Sequence, residues 1–172
     1  HAVVNNPKYT NQKLAFITIV GRGHYLGYAR YTPMPGSPSV TQNSVLYRVA
    51  GLLAGSISQQ MAGFEADAGM RQDVQMARAI IKSAITEYGI FPEFISELPM
   101  ASSNAQQSFR LSPQMLKKSE ELFKQATEIA INELSEKWEY IEKIVDRLMK
   151  NGEISQQQFE KIMKTKYKKR SP

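Results

Sequence analysis

Apolar side chains recur three and four residues apart through most of the chain beyond residue 44, and such spacing is satisfied only when helices bury one face each. The first set is Val45, Leu46, Val49, Leu52, Leu53, Ile57 and Met61, with Ser44 placed to cap the helix start. A second helix is expected from near Gln72 to Tyr88, with Val74, Ala77, Ile81 and Ala84 or Ile85 on its apolar face. Gly89 follows as the residue able to take the left-handed conformation that ends a helix. Ser112-Pro113 opens a third, proline being pre-shaped for the first helical position. From there Leu122, Ala126, Ile129, Ala130, Leu134, Trp138, Ile141, Val145 and Leu148 keep helical spacing to Lys150, where Asn151-Gly152 stops it. A short last helix is expected after a Ser155 cap.

The first third of the chain is different. Lys13 to Val20 is rich in β-branched and apolar residues, Gly21-Arg22-Gly23-His24 supplies a turn, and Leu26 to Tyr31 gives a second extended run. These read as a β-hairpin. Thr32 to Asn43 holds Pro33, Pro35, Gly36 and Pro38, too many breakers for a regular element. Phe91 to Arg110, with Pro92, Pro99 and a Ser-Asn-Gln stretch, reads as a long connection. The expected fold is mainly α, with a small N-terminal β-hairpin and a C-terminal helical bundle.

At 172 residues the chain suits one domain with a real core. No apolar run approaches the roughly 20 residues of a transmembrane helix, and no secretory signal or solenoid-length repeat is visible. With no cysteine, thiolate metal sites and disulfides are excluded, so any metal must be held by histidine or carboxylate. Five of the charges behind the formal net of +6 sit in Lys164, Lys166, Lys168, Lys169 and Arg170. The domain proper is therefore taken as residues 1–165, close to neutral, and residues 166–172 as a basic, disordered tail. That tail lacks interleaved aromatic platforms beyond Tyr167, so no nucleic-acid partner is expected.

Several segments carry a more specific signal. Ile17-Thr18-Ile19-Val20-Gly21-Arg22-Gly23-His24-Tyr25-Leu26-Gly27-Tyr28 resembles the "TIIPRGxxLGY" segment of the FtsH family of ATP-dependent zinc metalloproteases. In that family the segment follows the second histidine of H-E-x-x-H at a spacing that places this histidine at His1, ahead of Ala2-Val3-Val4. Leu52-Leu53-Ala54-Gly55 resembles the family's "LxGG" helix. Ala68-Gly69-Met70-Arg71-Gln72-Asp73-Val74-Gln75-Met76-Ala77 resembles its "TGAxxDxxxAT" segment, and Tyr88-Gly89-Ile90 stands where the family has "YGM". The closing helices are similar as far as Phe159-Glu160-Lys161-Ile162, so the resemblance covers about residues 1 to 165.

The resemblance implies a helical zinc-peptidase domain with His1 and Asp73 as metal ligands. Two histidines one helical turn apart face one zinc ion, and the glutamate between them takes a proton from the activated water. By the motif's spacing the first histidine and that glutamate lie upstream of residue 1, so no catalytic base is expected among these 172 residues and the isolated chain is expected to be inactive. Asp73 also has a plain structural reading, since an acidic residue in the first turn of a helix is favoured by the helix dipole. His24 reads as a turn residue, and Glu65 and Asp67 as solvated loop charges.

Ile17 and Ile19 are the candidate substrate-binding residues. Phe16-Ile17-Thr18-Ile19 either offers a strand edge on which an extended polypeptide adds by backbone hydrogen bonds, or forms an interior strand. The implied whole is a membrane-anchored, ATP-driven zinc endopeptidase that degrades unfolded or membrane proteins. Zinc belongs to this domain, and ATP and magnesium to an upstream AAA module. The resemblance further implies a hexameric ring, with ring contacts on the helices from Val45 and Ser112, and a membrane-associated location with this domain on the cytoplasmic or equivalent organellar side. Departures keep a second reading open. The family's acidic pair is Gln59-Gln60 here, and its Ser/Thr-Thr-Gly-Ala segment is Asp67-Ala68-Gly69-Met70. Loss of groups that orient metal ligands would suit an inactive relative acting as a ring-assembly scaffold.

Overall fold

The computed structural model describes residues 1–21, 27–36, 39–65, 68–98 and 110–164. His24, Asp67 and the tail from Thr165 lie outside these residues. The chain enters on one helical turn, closed by Asn5 N–H donating to the carbonyl of His1 (3.1 Å). Helix α1 (Pro7–Thr10) follows, started by Asn6, whose side chain accepts from the Lys8 N–H. Strands β1 (Gln12–Thr18) and β2 (Tyr28–Pro33) pair antiparallel.

Helix α2 (Gln42–Met61) starts earlier than the apolar spacing implies, and its cap is Thr41, not Ser44. Thr41 Oγ1 accepts from the Ser44 N–H (3.2 Å), and Ser44 Oγ returns the favour to the Thr41 N–H (2.9 Å). Such a reciprocal box satisfies two of the amides that a helix start leaves without partners. Ser44 therefore closes the cap from inside the first turn. A 3-10 turn (Ala68–Met70) leads into α3 (Arg71–Thr86), and Gly89 takes the expected positive φ of +61°. Pro92–Glu97 forms a second 3-10 segment inside the stretch read as a long connection.

The long helix expected from Pro113 to Lys150 is two helices, α4 (Pro113–Glu136) and α5 (Trp138–Asn151), broken at Lys137. The Lys137 ammonium donates to the Glu133 carboxylate and to the carbonyl of Val3 (3.4 Å), fastening the break to the N-terminal turn. Strand β3 (Glu153–Ser155) then pairs antiparallel with β1, and α6 (Gln156–Lys164) completes the described chain. Ser155 caps α6 as expected, its Oγ accepting from the Gln158 N–H (3.4 Å). The sheet order is β2-β1-β3, so the hairpin is part of a three-stranded sheet.

The fold is mainly α with a small antiparallel sheet, and its core has two parts. The larger joins α2, α3 and α4 through Val45, Val49, Leu53, Ile81, Ile85 and Leu122, all buried. The smaller gathers Val3, Ile144, Leu148 and Ile154, with Ile17 and Phe159 packed against them. Ile141 touches both. The helices from Val45 and Ser112 thus bury most of their apolar faces on each other; Met61, Leu116 and Ile131 are the large apolar residues they leave exposed.

Candidate metal centre

Three elements bring the candidate site together. The N-terminal turn presents His1, the face of α2 bearing Gly51 and Gly55 lies beneath its ring, and the first turn of α3 presents Asp73. His1 Nδ1 lies 2.7 Å from the Gly51 carbonyl oxygen. A carbonyl only accepts, so Nδ1 carries the hydrogen, and in the neutral ring the lone pair is left on Nε2. Nε2 stands 3.8 Å from Asp73 Oδ2. Both side chains are partly exposed, at 42% and 36%, so as a bare ion pair they would contribute little to stability.

That geometry suits a shared cation better. Tetrahedral zinc ligands at about 2.0–2.2 Å from the metal stand roughly 3.3–3.6 Å from each other, close to the observed separation. A metal-binding histidine also characteristically donates its other ring N–H to a carbonyl or carboxylate, as His1 does to Gly51. The residues present therefore fit a zinc ion as two of its ligands. Among the described residues no group of three or more His, Asp or Glu side chains converges, so these two do not make a full ligand set.

Beside His1 opens a groove of about 300 Å³, lined mainly by apolar residues including Val3, Ile17, Ile19, Leu134, Ile141 and Ile144. Ile17 and Ile19 therefore do border the His1 site, but not as a free strand edge. From Phe16 to Thr18, β1 pairs with β2 on one side and β3 on the other, and the Ile19 N–H donates to the Gly152 carbonyl (2.9 Å). Of the two readings, the interior strand is the correct one. Among the described residues β2 and β3 are the outer strands, and β2 is the one that borders the groove, through Tyr28 and Ala29.

Glu65 is exposed, as read, and Gln59 and Gln60 are exposed at the end of α2. Gln59 is one helical turn beyond Gly55 and two beyond Gly51, and so shares the face that carries His1. What residue reading missed is the part played by α2 itself. A backbone carbonyl leaves no trace in a sequence, and Gly55 stood out only through its motif.

The sequence model of peptidase family M41 matches residues 1–162. The chain belongs to that family, as an FtsH-type peptidase domain. It is similar to the ATP-dependent zinc metalloprotease FtsH 2 of Sphaerobacter thermophilus, 27% identical over 167 residues that cover 95% of this chain and 25% of that protein. The ATP-dependent zinc metalloprotease FtsH of Staphylococcus haemolyticus is 33% identical over 93 residues, covering 54% of this chain and 13% of that protein. The Bacillus subtilis protein of the same name is 31% identical over 93 residues, covering 54% and 14%. The chain thus spans a quarter or less of the length of these relatives.

Proposed function

We propose that the chain is the peptidase domain of an ATP-dependent zinc endopeptidase that hydrolyses polypeptides, with His1 and Asp73 as two of its metal ligands. The observation that carries this reading is His1 itself, with Nδ1 engaged by the Gly51 carbonyl and Nε2 turned toward the Asp73 carboxylate. Zinc, when bound, would supply the Lewis acidity that makes water nucleophilic near neutral pH. The remaining ligand and the base belong, on this reading, to an H-E-x-x segment immediately preceding His1 in the intact protein.

This chain's own residues orient the imidazole, supply one carboxylate, and provide the apolar groove in which Ile17 and Ile19 hold a substrate side chain. An extended substrate would add along β2, the outer strand that borders the groove. Ring assembly, membrane anchorage and an AAA module follow from the likeness to FtsH proteins. No helix among the described residues is long and apolar enough to cross a membrane, so an anchor would lie elsewhere in the protein. In the proposed ring, exposed Leu116 and Ile131 on α4 are candidate contacts.

The test is zinc stoichiometry of the intact protein. Near one zinc per chain, lost in both His1→Ala and Asp73→Ala, is the expected result; a folded protein without zinc would overturn the reading. In that event the scaffold reading takes over, and the specific observation in its favour is Gln59, an uncharged side chain on the His1-bearing face of α2 where the family has an acid. Measurable metal-dependent casein cleavage by residues 1–172 alone would contradict the assignment of ligand and base to the preceding segment.

A further inference from the structure

We propose that Gly55 is a positioning residue for the metal centre, acting through His1, and that α2 holds the His1 ring by two devices one helical turn apart. The inference rests on the zinc reading above. The first device is the Gly51 carbonyl, which takes the Nδ1 hydrogen at 2.7 Å and so fixes which ring nitrogen is free. The second is the missing side chain at Gly55. A Cβ built there would stand 2.7 Å from His1 Nε2, 3.1 Å from Cε1 and 3.6 Å from Cδ2. The ring therefore brings its Nε2 corner, the nitrogen that faces Asp73, against the bare backbone of α2.

Nothing else in the helix calls for glycine at this position. Residue 55 lies inside a regular helix and is not among the glycines with positive φ, and glycine in a helix interior costs about 1 kcal/mol relative to alanine. At Gly55 that cost is matched by a neighbour for which the missing side chain makes room, the His1 ring. Gly51 provides the contrast. It sits in the same helix on the same face, yet a Cβ there would meet nothing within 4 Å. Its contribution is a carbonyl, which any residue supplies.

The two glycines therefore respond differently to alanine. Gly51→Ala keeps the carbonyl and meets open space, so the His1 ring stays in place. Gly55→Ala pushes the ring off the helix, moving Nε2 relative to Asp73 and pulling Nδ1 from the Gly51 oxygen.

The experiment compares the intact protein with its Gly51→Ala, Gly55→Ala and His1→Ala forms. Zinc affinity is measured by competition with a chromophoric chelator, and the visible absorption of the cobalt(II)-loaded site is recorded as a report on ligand geometry. The expected result is an unchanged affinity and spectrum for Gly51→Ala. Gly55→Ala should bind zinc about 10- to 100-fold more weakly, the usual range for losing a group that orients a ligand, with displaced cobalt bands. Wild-type behaviour of Gly55→Ala would overturn the inference while leaving the zinc reading intact, as would equal losses in the two glycine variants. Failure of the wild type to bind zinc would remove the zinc reading and this inference together.

A metal-free readout guards against a folding defect. In a His1→Ala background, Gly55→Ala meets no ring and should raise Tm through helix propensity; with His1 present that gain should shrink or vanish. Equal Tm changes in both backgrounds would overturn the clash.

Discussion

His1 is held by a backbone carbonyl on one side and faces a carboxylate on the other, and the two contacts can be separated. Asp73→Asn keeps the size of the side chain but removes its charge, and should weaken zinc binding of the intact protein by tenfold or more with little change in Tm, since the pair is partly exposed. Equal zinc affinity in the two forms would remove Asp73 from the ligand set. Tyr31 offers a pH-dependent test of the sheet. Burial pushes its phenol up to about 12 from the ordinary 10.0, because the charged phenolate is poorly solvated there. As pH rises, the unfolded chain therefore loses this proton first. The stabilisation is complete below about pH 10 and is lost progressively toward pH 12. Tyr31→Phe should flatten that alkaline decline in denaturant titrations; an unchanged slope would assign it to other groups. At this scale sequence reading reached His1 and Asp73 only through motif resemblance. From the residues alone the better reading of Asp73 was an acid favoured by its helix terminus, and the Gly51 carbonyl that takes the Nδ1 hydrogen has no residue type to announce it.

Helix faces were legible because burial of one side leaves a period in the chain. Val45, Val49 and Leu53 on α2, and Ala77, Ile81 and Ile85 on α3, are buried as their spacing requires. Element ends were less so. The break at Lys137 is invisible locally, since Leu134, Trp138 and Ile141 carry the apolar spacing straight across it. What ends α4 there includes a hydrogen bond to Val3, far away in the chain. Strand β3 is three residues long, too short for alternation to register, and it exists because β1 offers it a partner. The true start of α2 depended on a reciprocal pair, Thr41 with Ser44, rather than on the first apolar residue. Thr41→Ala removes one half of that pair and should lower stability by about 1 kcal/mol, read as a fall in Tm. A change within error would mean that the Ser44 side chain alone secures the helix start.

Across the molecule, the small core of Val3, Ile144, Leu148 and Ile154 backs the groove beside His1, whereas the larger core holds the three long helices together. Truncating the two should therefore have different consequences. Leu122→Ala in the larger core should cost about 2–5 kcal/mol and leave the Michaelis constant of the proposed peptidase activity, measured on the folded intact protein, near that of the wild type. Ile154→Ala should cost a similar amount and also raise the constant, because Ile17 rests on that core. Equal constants for both would detach the groove from substrate binding. The turn at Gly152 joins this region to the other end of the chain. Gly152 takes φ +74°, a left-handed geometry that favours glycine, and its carbonyl accepts from the Ile19 N–H and from Thr18 Oγ1, 134 positions earlier. A closure over so long a span is slow relative to helix formation, because the loop entropy is lost before the contacts are gained. During synthesis, β1 must therefore wait for the last tenth of the domain before its second side is covered. The groove wall would be among the last parts to form, leaving a nascent chain with its helices built but without the groove proposed to hold a substrate.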